Sequence, residues 1–205
     1  MMRIQIISSL VILFSVALIS PILSKEVSEN LGECLSNLTT HEIAVSYNYL
    51  HLSSKFGTTK AYPGFSSLFT KLSDDDSSKG HALAKFLALR RARVTRLITR
   101  NGIKIRSGIT STSDIFSGLQ EARQHNRNVW NEVIDCHKKA DAAGDAHVQD
   151  YLESDFLDHH VEVDKLLSDI EHRIHDAQPS ERSLITFMID EELLHTYGDR
   201  RKNVF

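Results

Sequence analysis

From residue 31 the chain reads Leu31, Leu35, Leu38, Glu42, Val45, Tyr49, Leu52, Phe56, in steps of four and three. That is the spacing of the buried seam of a packed helix. Every member is apolar or aromatic except Glu42. A carboxyl group at such a position is costly unless a hydrogen bond, a charge or a metal meets it. The interruption recurs. A second seam, Ile115, Leu119, Ala122, Asn126, Val129, Val133, Cys136, Ala140, is broken by Asn126. A third, Leu152, Phe156, His160, Val163, Leu167, Ile170, Ile174, is broken by His160. Between the first two lie Phe65, Leu68 and Leu72, a polar break from Asp74 to His81, then Leu83 and Phe86. Four helical segments that each turn a polar residue inward point to a polar layer inside an all-α bundle.

The connections set the topology. Gly57 to Gly64, with Pro63, is a short turn between segments one (27–56) and two. Segment two starts near Phe65 and reaches Arg91, with Arg90 to Arg100 able to continue it before Asn101-Gly102 stops it. Residues 103–113 lack helix signals, and Ser113-Asp114 is an expected N-cap for segment three. Ala140 to Gly144 is again short, before segment four (146–176). Pro179-Ser180 precedes a fifth, short helix near 183–195. Short links make antiparallel neighbours, so two helical hairpins joined by a long crossover are expected.

At 205 residues the chain allows one domain, and 41% hydrophobic residues can fill a core. A net charge of -3 gives no reason to expect a nucleic-acid partner. Residues 1–24 stand apart: Arg3 precedes an almost wholly apolar run from Ile4 to Leu23, closed by Lys25 and Glu26. This reads as a secretory signal peptide cleaved near Ser24, with an uncleaved anchor as the alternative. Residues 25–198 would then be the folded domain, 199–205 a frayed tail, and no membrane contact would remain after cleavage. The expected location is the ER and Golgi lumen and the extracellular space. Two cysteines remain, Cys34 and Cys136. In a secreted chain an even pair favours a disulfide over two buried thiols. Asn37-Leu38-Thr39 is a glycosylation sequon, placed inside an expected helix.

The stretches His41 to Leu50, Gly80-His81-Ala82, Asn128-Val129 and Asp150 to Leu157 together resemble ferritin, across about 27–198. With the apolar leader and the run Phe65 to Asp76, the chain is most similar to the secreted ferritin subunits of insects and related arthropods, nearer their light-chain type. The resemblance implies a ferritin-like four-helix bundle with a long crossover and a short fifth helix. It also implies a twenty-four-subunit shell of copies of itself and heavy-chain-type partners, storing iron as a ferric mineral. Catalytic subunits of that family hold two irons with a Glu on the first helix, Glu-x-x-His on the second, Glu on the third and Gln on the fourth. The matching residues here are Glu42 with neighbouring Tyr49, then Ser78 and His81, then Asn126, then His160. On that alignment the carboxylates at Ser78 and Asn126 are lost, and Lys79 adds a positive charge. Glu42 and His81 would form a buried polar pair without metal, in a subunit that is not an enzyme. A remnant site holding one metal ion through Glu42, His81 and His160 is the alternative.

The resemblance further assigns His137, Asp150 and Glu153 to an iron-entry channel on a threefold axis. There, repeated carboxylates draw divalent cations. Asp74, Asp75 and Asp76 fall where light-type subunits nucleate mineral, although consecutive helical residues cannot all face one cavity. With Glu42 level with Asn126 on antiparallel helices, Cys34 and Cys136 reach roughly similar heights, about 12 and 15 Å along the axis. An intrachain bridge is expected, with a bond to a partner subunit as the alternative. Two rival functions remain: a ferroxidase-active subunit, and a secreted helical bundle that binds a partner without iron.

Overall fold

The computed structural model of the protein describes residues 26–58, 62–92 and 115–198. Five helices account for nearly all of them: Glu29–Thr58 (α1), Pro63–Leu89 (α2), Ile115–Ala142 (α3), a fourth helix (α4) and Arg182–Tyr197 (α5). The fourth runs through three stretches, Ala146–Leu152, a π-helical turn at Glu153–Leu157 and Asp158–Asp176. Among the described residues no helix is long and apolar enough to cross a membrane. The expected leader, the Ser113-Asp114 cap, the stretch 93–100 and the tail after Gly198 lie outside the described residues.

The three seams read from the sequence are buried throughout, polar members included. Side-chain pairs give the directions. Tyr49 lies over Phe69 and Phe56 over Phe65, so α1 and α2 are antiparallel. Cys34 meets Cys136 and Tyr49 meets Ala122, so α1 and α3 are antiparallel as well. Asn126 meets His160 and Gln120 meets Glu171, which makes α3 and α4 antiparallel. It follows that α2 and α3 run parallel, with Leu89 and Ile115 at opposite ends of the bundle. That is the geometry a long crossover serves.

Cys34 and Cys136 form the expected intrachain disulfide, with Cα atoms 5.7 Å apart and 102 residues between them in sequence. Closing a loop of that length removes about 5 kcal/mol of unfolded-state freedom in the chain-entropy view. Gly80 lets α1 and α2 approach closely: a Cβ there would sit 2.8 Å from Ile43 Cγ1 and 3.3 Å from the Thr39 carbonyl oxygen. Asp190 of α5 accepts the Phe65 backbone N–H at 2.9 Å, docking the short helix on an otherwise uncapped N-terminus.

Helix α2 ends at Leu89, two residues before the expected Arg91. Arg91 adopts φ 50°, a left-handed conformation usually left to glycine. Ala92 N–H returns to the Leu87 carbonyl and Arg91 N–H to that of Ala88, the paired closure of a helix C-terminus. The compensation is Arg90, whose guanidinium enters the core and pairs with Asp145 at 2.7 Å, both side chains 6% exposed. Asp145 also caps α4 by accepting from Val148 N–H. One buried ion pair thus ties the end of α2 to the turn between α3 and α4.

Candidate metal-binding layer

At mid-height the four long helices bring Glu42, Asp76, Asn126 and His160 into the core, all at most 2% exposed. His160 Nε2 lies 3.1 Å from Glu42 Oε1. Its Nδ1 lies 2.8 Å from Asn126 Oδ1, while Asn126 Nδ2 donates to the His160 carbonyl at 2.8 Å. These contacts fix the protons. The amide nitrogen of Asn126 is committed to a carbonyl, so its oxygen accepts from Nδ1–H. The Nε2 lone pair of a neutral His160 is left facing Glu42, which therefore donates as a carboxylic acid. Electrostatics agree. Burial pushes the Glu42 carboxyl up to about 8, against the opposing pull of His159 and Lys79. Burial likewise pushes His160 down to about 4.

Asp76 is the second acid of the layer. His159 Nε2 donates to its Oδ1 at 3.0 Å. Burial raises the Asp76 carboxyl to about 6, with the His159 bond opposing. The rings of His159 and His160 lie 5.2 Å apart. Two oxygens are left without a hydrogen-bond partner, Glu42 Oε2 and Asp76 Oδ2.

The second helix corrects two expectations. His81 is exposed and does not pair with Glu42, whose partner is His160. Ser78 is exposed too, so the inward acid is not lost; it is Asp76, two residues earlier. Stepping from Leu72 by four, four and three lands on Asp76, Gly80 and Leu83, all buried, and that walk through the polar break was the available signal. His159 lies three residues after Phe156 and four before Val163, an ordinary helical step that also put it on the inward flank. The burial of Asp76 also removes it from any mineral-facing surface. Asp74 stays exposed, and Asp75 is paired with Lys71. Tyr49 is buried with its hydroxyl donating to the Ala122 carbonyl at 3.3 Å, one role for which no metal is needed.

Among the described residues no three His, Cys, Asp or Glu side chains are arranged to hold a metal ion. The layer does not fit a pair of iron ions. Glu42 Oε1 and His160 Nε2 are spent on each other, Asn126 contributes a neutral amide, and the Lys79 charge acts on both Glu42 and His160. At the outer surface, His137 Nε2 lies 2.6 Å from Glu153 Oε1, with Asp150 exposed one turn before Glu153. Asn37 is exposed on α1, while Thr39 of its sequon is buried and donates to the Leu35 carbonyl at 2.8 Å.

Comparison with known proteins places this geometry in a family. The chain matches the ferritin-like domain over residues 33–175. It is 27% identical to the soma ferritin of Lymnaea stagnalis over 154 residues, covering 75% of this chain and 84% of that protein. It is 28% identical to a ferritin of Pacifastacus leniusculus over 153 residues, 74% of this chain and 81% of that one. Against the ferritin light chain of Bos taurus it is 26% identical over 143 residues, covering 69% and 79%. With a matching bundle, crossover topology and family domain, the chain belongs to the ferritin family.

Proposed function

We propose that the chain is an iron-storage subunit of a secretory-pathway ferritin shell, of the light-chain type, that does not itself oxidise iron. The observation that carries the reading is the closed Glu42–His160–Asn126 hydrogen-bond chain, which commits the layer's best donor atoms to one another. Two irons need several free hard oxygen ligands, and a shared proton between Glu42 and His160 competes with them. Oxidation then falls to heavy-chain-type partners in a mixed twenty-four-subunit assembly, while this chain contributes wall and cavity surface. The apolar leader and the Cys34–Cys136 bridge support an oxidising compartment. His137, Glu153 and Asp150 support a cation entry point where three copies meet.

Size-exclusion chromatography with stopped-flow Fe(II) oxidation tests this. The expected result is a particle of several hundred kilodaltons whose oxidation of Fe(II) stays near background alone and whose mineral uptake rises with a heavy-type partner. A small iron-free species would favour the partner-binding bundle. Fast, saturable oxidation by this chain alone would make it a ferroxidase.

A further inference from the structure

The buried pair of Arg90 and Asp145 has a third member that the storage reading does not use. Arg90 Nη2 and Nη1 donate to Asp145 Oδ2 and Oδ1 at 2.7 and 3.3 Å, and Nη1 also donates to His147 Nδ1 at 3.0 Å. A guanidinium offers donors only and does not deprotonate in a protein. His147 therefore accepts through a bare Nδ1, and its imidazole is neutral. The Phe86 ring lies against the same group, 5.8 Å from the guanidinium carbon and 5.2 Å from the His147 ring. Tyr151, one turn further along α4, stacks on Phe86 at 4.2 Å. Arg90 and Asp145 are 5% and 6% exposed, whereas His147 is open to solvent and its protons. All these contacts converge on the first turns of α4. Asp145 caps them by accepting from Val148 N–H at 3.3 Å. The same stretch carries Asp150 and runs into Glu153, which meets His137 at 2.6 Å.

We propose that Arg90, Asp145 and His147 form an acid-released latch that seats the first turns of α4, and with them the acids of the cation entry point. The link to cation entry rests on the storage reading; the latch itself rests on contacts within one chain. Imidazole is the side chain whose charge changes between about pH 5 and 8. A proton on His147 Nδ1 removes the acceptor and sets a second cation beside a buried guanidinium that cannot give up its own charge. The charged and titratable groups around His147 are Arg90 and its neighbour Arg91 from α2, Asp145 from the turn, and Asp150 and Tyr151 along α4. From α3 comes Asp141, which accepts from Gln149 at 3.3 Å. Asp145 is already committed to Arg90 and to Val148 N–H, so a charged His147 competes with the cap for it. The ring then leaves the guanidinium, and the start of α4 loses the contact that joins it to the end of α2.

The test is hydrogen exchange of the full chain in its native assembly, read by mass spectrometry as protection factors, which correct for the intrinsic rate at each pH. Wild type, His147→Gln and His147→Lys are compared at about pH 7.5 and about pH 5.5, toward either end of the range in which imidazole titrates. Gln gives Arg90 an oxygen that never titrates, and Lys brings a charge with no acceptor. In wild type, protection over residues 145–153 should fall at least about tenfold on acidification, the worth of one hydrogen bond to a charged group. Protection around Leu35 and Leu38 of α1 should hold. His147→Gln should stay protected over 145–153 at both pH values, and His147→Lys should lack that protection at both. A wild type without the fall would overturn the latch. So would the same fall in His147→Gln, or full protection in His147→Lys. Tb(III) binding to the assembly reports on the entry reading separately: if Asp150→Asn leaves it unchanged, that reading fails and the latch stands.

Discussion

The two helical hairpins are held together by different forces. Between α1 and α2 the contact is aromatic: Phe69 stacks on Phe56 at 5.6 Å and on Tyr49 at 6.2 Å. Away from the polar layer it carries hydroxyl contacts, with Ser53 2.7 Å from Thr70 and 3.2 Å from Ser66. Between α3 and α4 the contact is ionic. Arg123 bridges Asp164 and Glu171, each at 3.0 Å, and Arg127 adds a 2.8 Å contact to Asp164. Burial of aromatic area is strong and non-directional, so it sets how closely the first pair packs. Guanidinium–carboxylate contacts are weaker and directional, so they set how far one helix slides along the other. The polar layer needs both. The first hairpin supplies its acids, Glu42 and Asp76, and the second supplies Asn126, His159 and His160.

The comparison breaks most easily on the aromatic side. Phe69 is fully buried. Phe69→Ala should lower stability by about 4 kcal/mol through lost burial and a residual cavity. Chemical unfolding followed by circular dichroism reads this directly. A loss below about 1 kcal/mol would mean that the stack carries little of the first hairpin.

How much of this was legible in sequence follows from the same difference. The aromatic and aliphatic seams obey a fixed period, so every seam residue read from the sequence is buried and the helix directions follow from loop lengths. Glu42, Asn126 and His160 were found because each breaks a clean period. Asp76 was hidden because its neighbours Asp74 and Asp75 are polar as well, so an inward acid stood among outward ones. His81 was chosen by motif spacing alone, and helical phase puts it outside. His159 was passed over because the step from Phe156 was taken to His160, although a step of three from Phe156 and of four to Val163 reaches His159 as well. The end of α2 falls two residues short of the expected Arg91, which takes a left-handed conformation without a glycine to announce it.

Where the hairpins meet, stability should depend on pH. Glu42 is raised from an ordinary 4.5 to about 8, so the folded chain holds a proton that the unfolded chain has released. More protons bound to the folded state means that stability falls as pH rises through that window. His160 is lowered from 6.5 to about 4, so its own contribution is lost as pH falls below 6.5. Together the pair holds one proton between about 4 and 8, and between 4.5 and 6.5 the unfolded pair holds one too. The net loss is therefore confined to pH above 6.5, where it reaches on the order of 2 kcal/mol by pH 8. Glu42→Gln keeps a donor facing His160 Nε2 and removes the titrating proton. Its melting temperature should decline less between pH 6.5 and 8 than that of wild type, the remaining slope coming from His41, which its hydrogen bond to Glu132 holds above the ordinary histidine value. Parallel declines in the two proteins would show that the proton is not held at Glu42.

The ionic side should yield the smallest effect and the most diagnostic one. Arg123 and its acids are partly exposed, with side-chain exposures of 20% for Arg123 and 16% for both Asp164 and Glu171. Solvent screening discounts such contacts, so Arg123→Ala should lower stability by only about 1 kcal/mol. The distinguishing sign is salt. Raising ionic strength toward 1 M shrinks the screening length to about 3 Å, and most of the difference between Arg123→Ala and wild type should disappear. The deficit of Phe69→Ala should persist or grow, because excluded salts favour burial of apolar surface. If both deficits respond alike to salt, the contrast between hairpins is one of residue types and not of forces. If only the ionic one fades, the register of α3 against α4, and with it the Asn126–His160 contact, is held by charge.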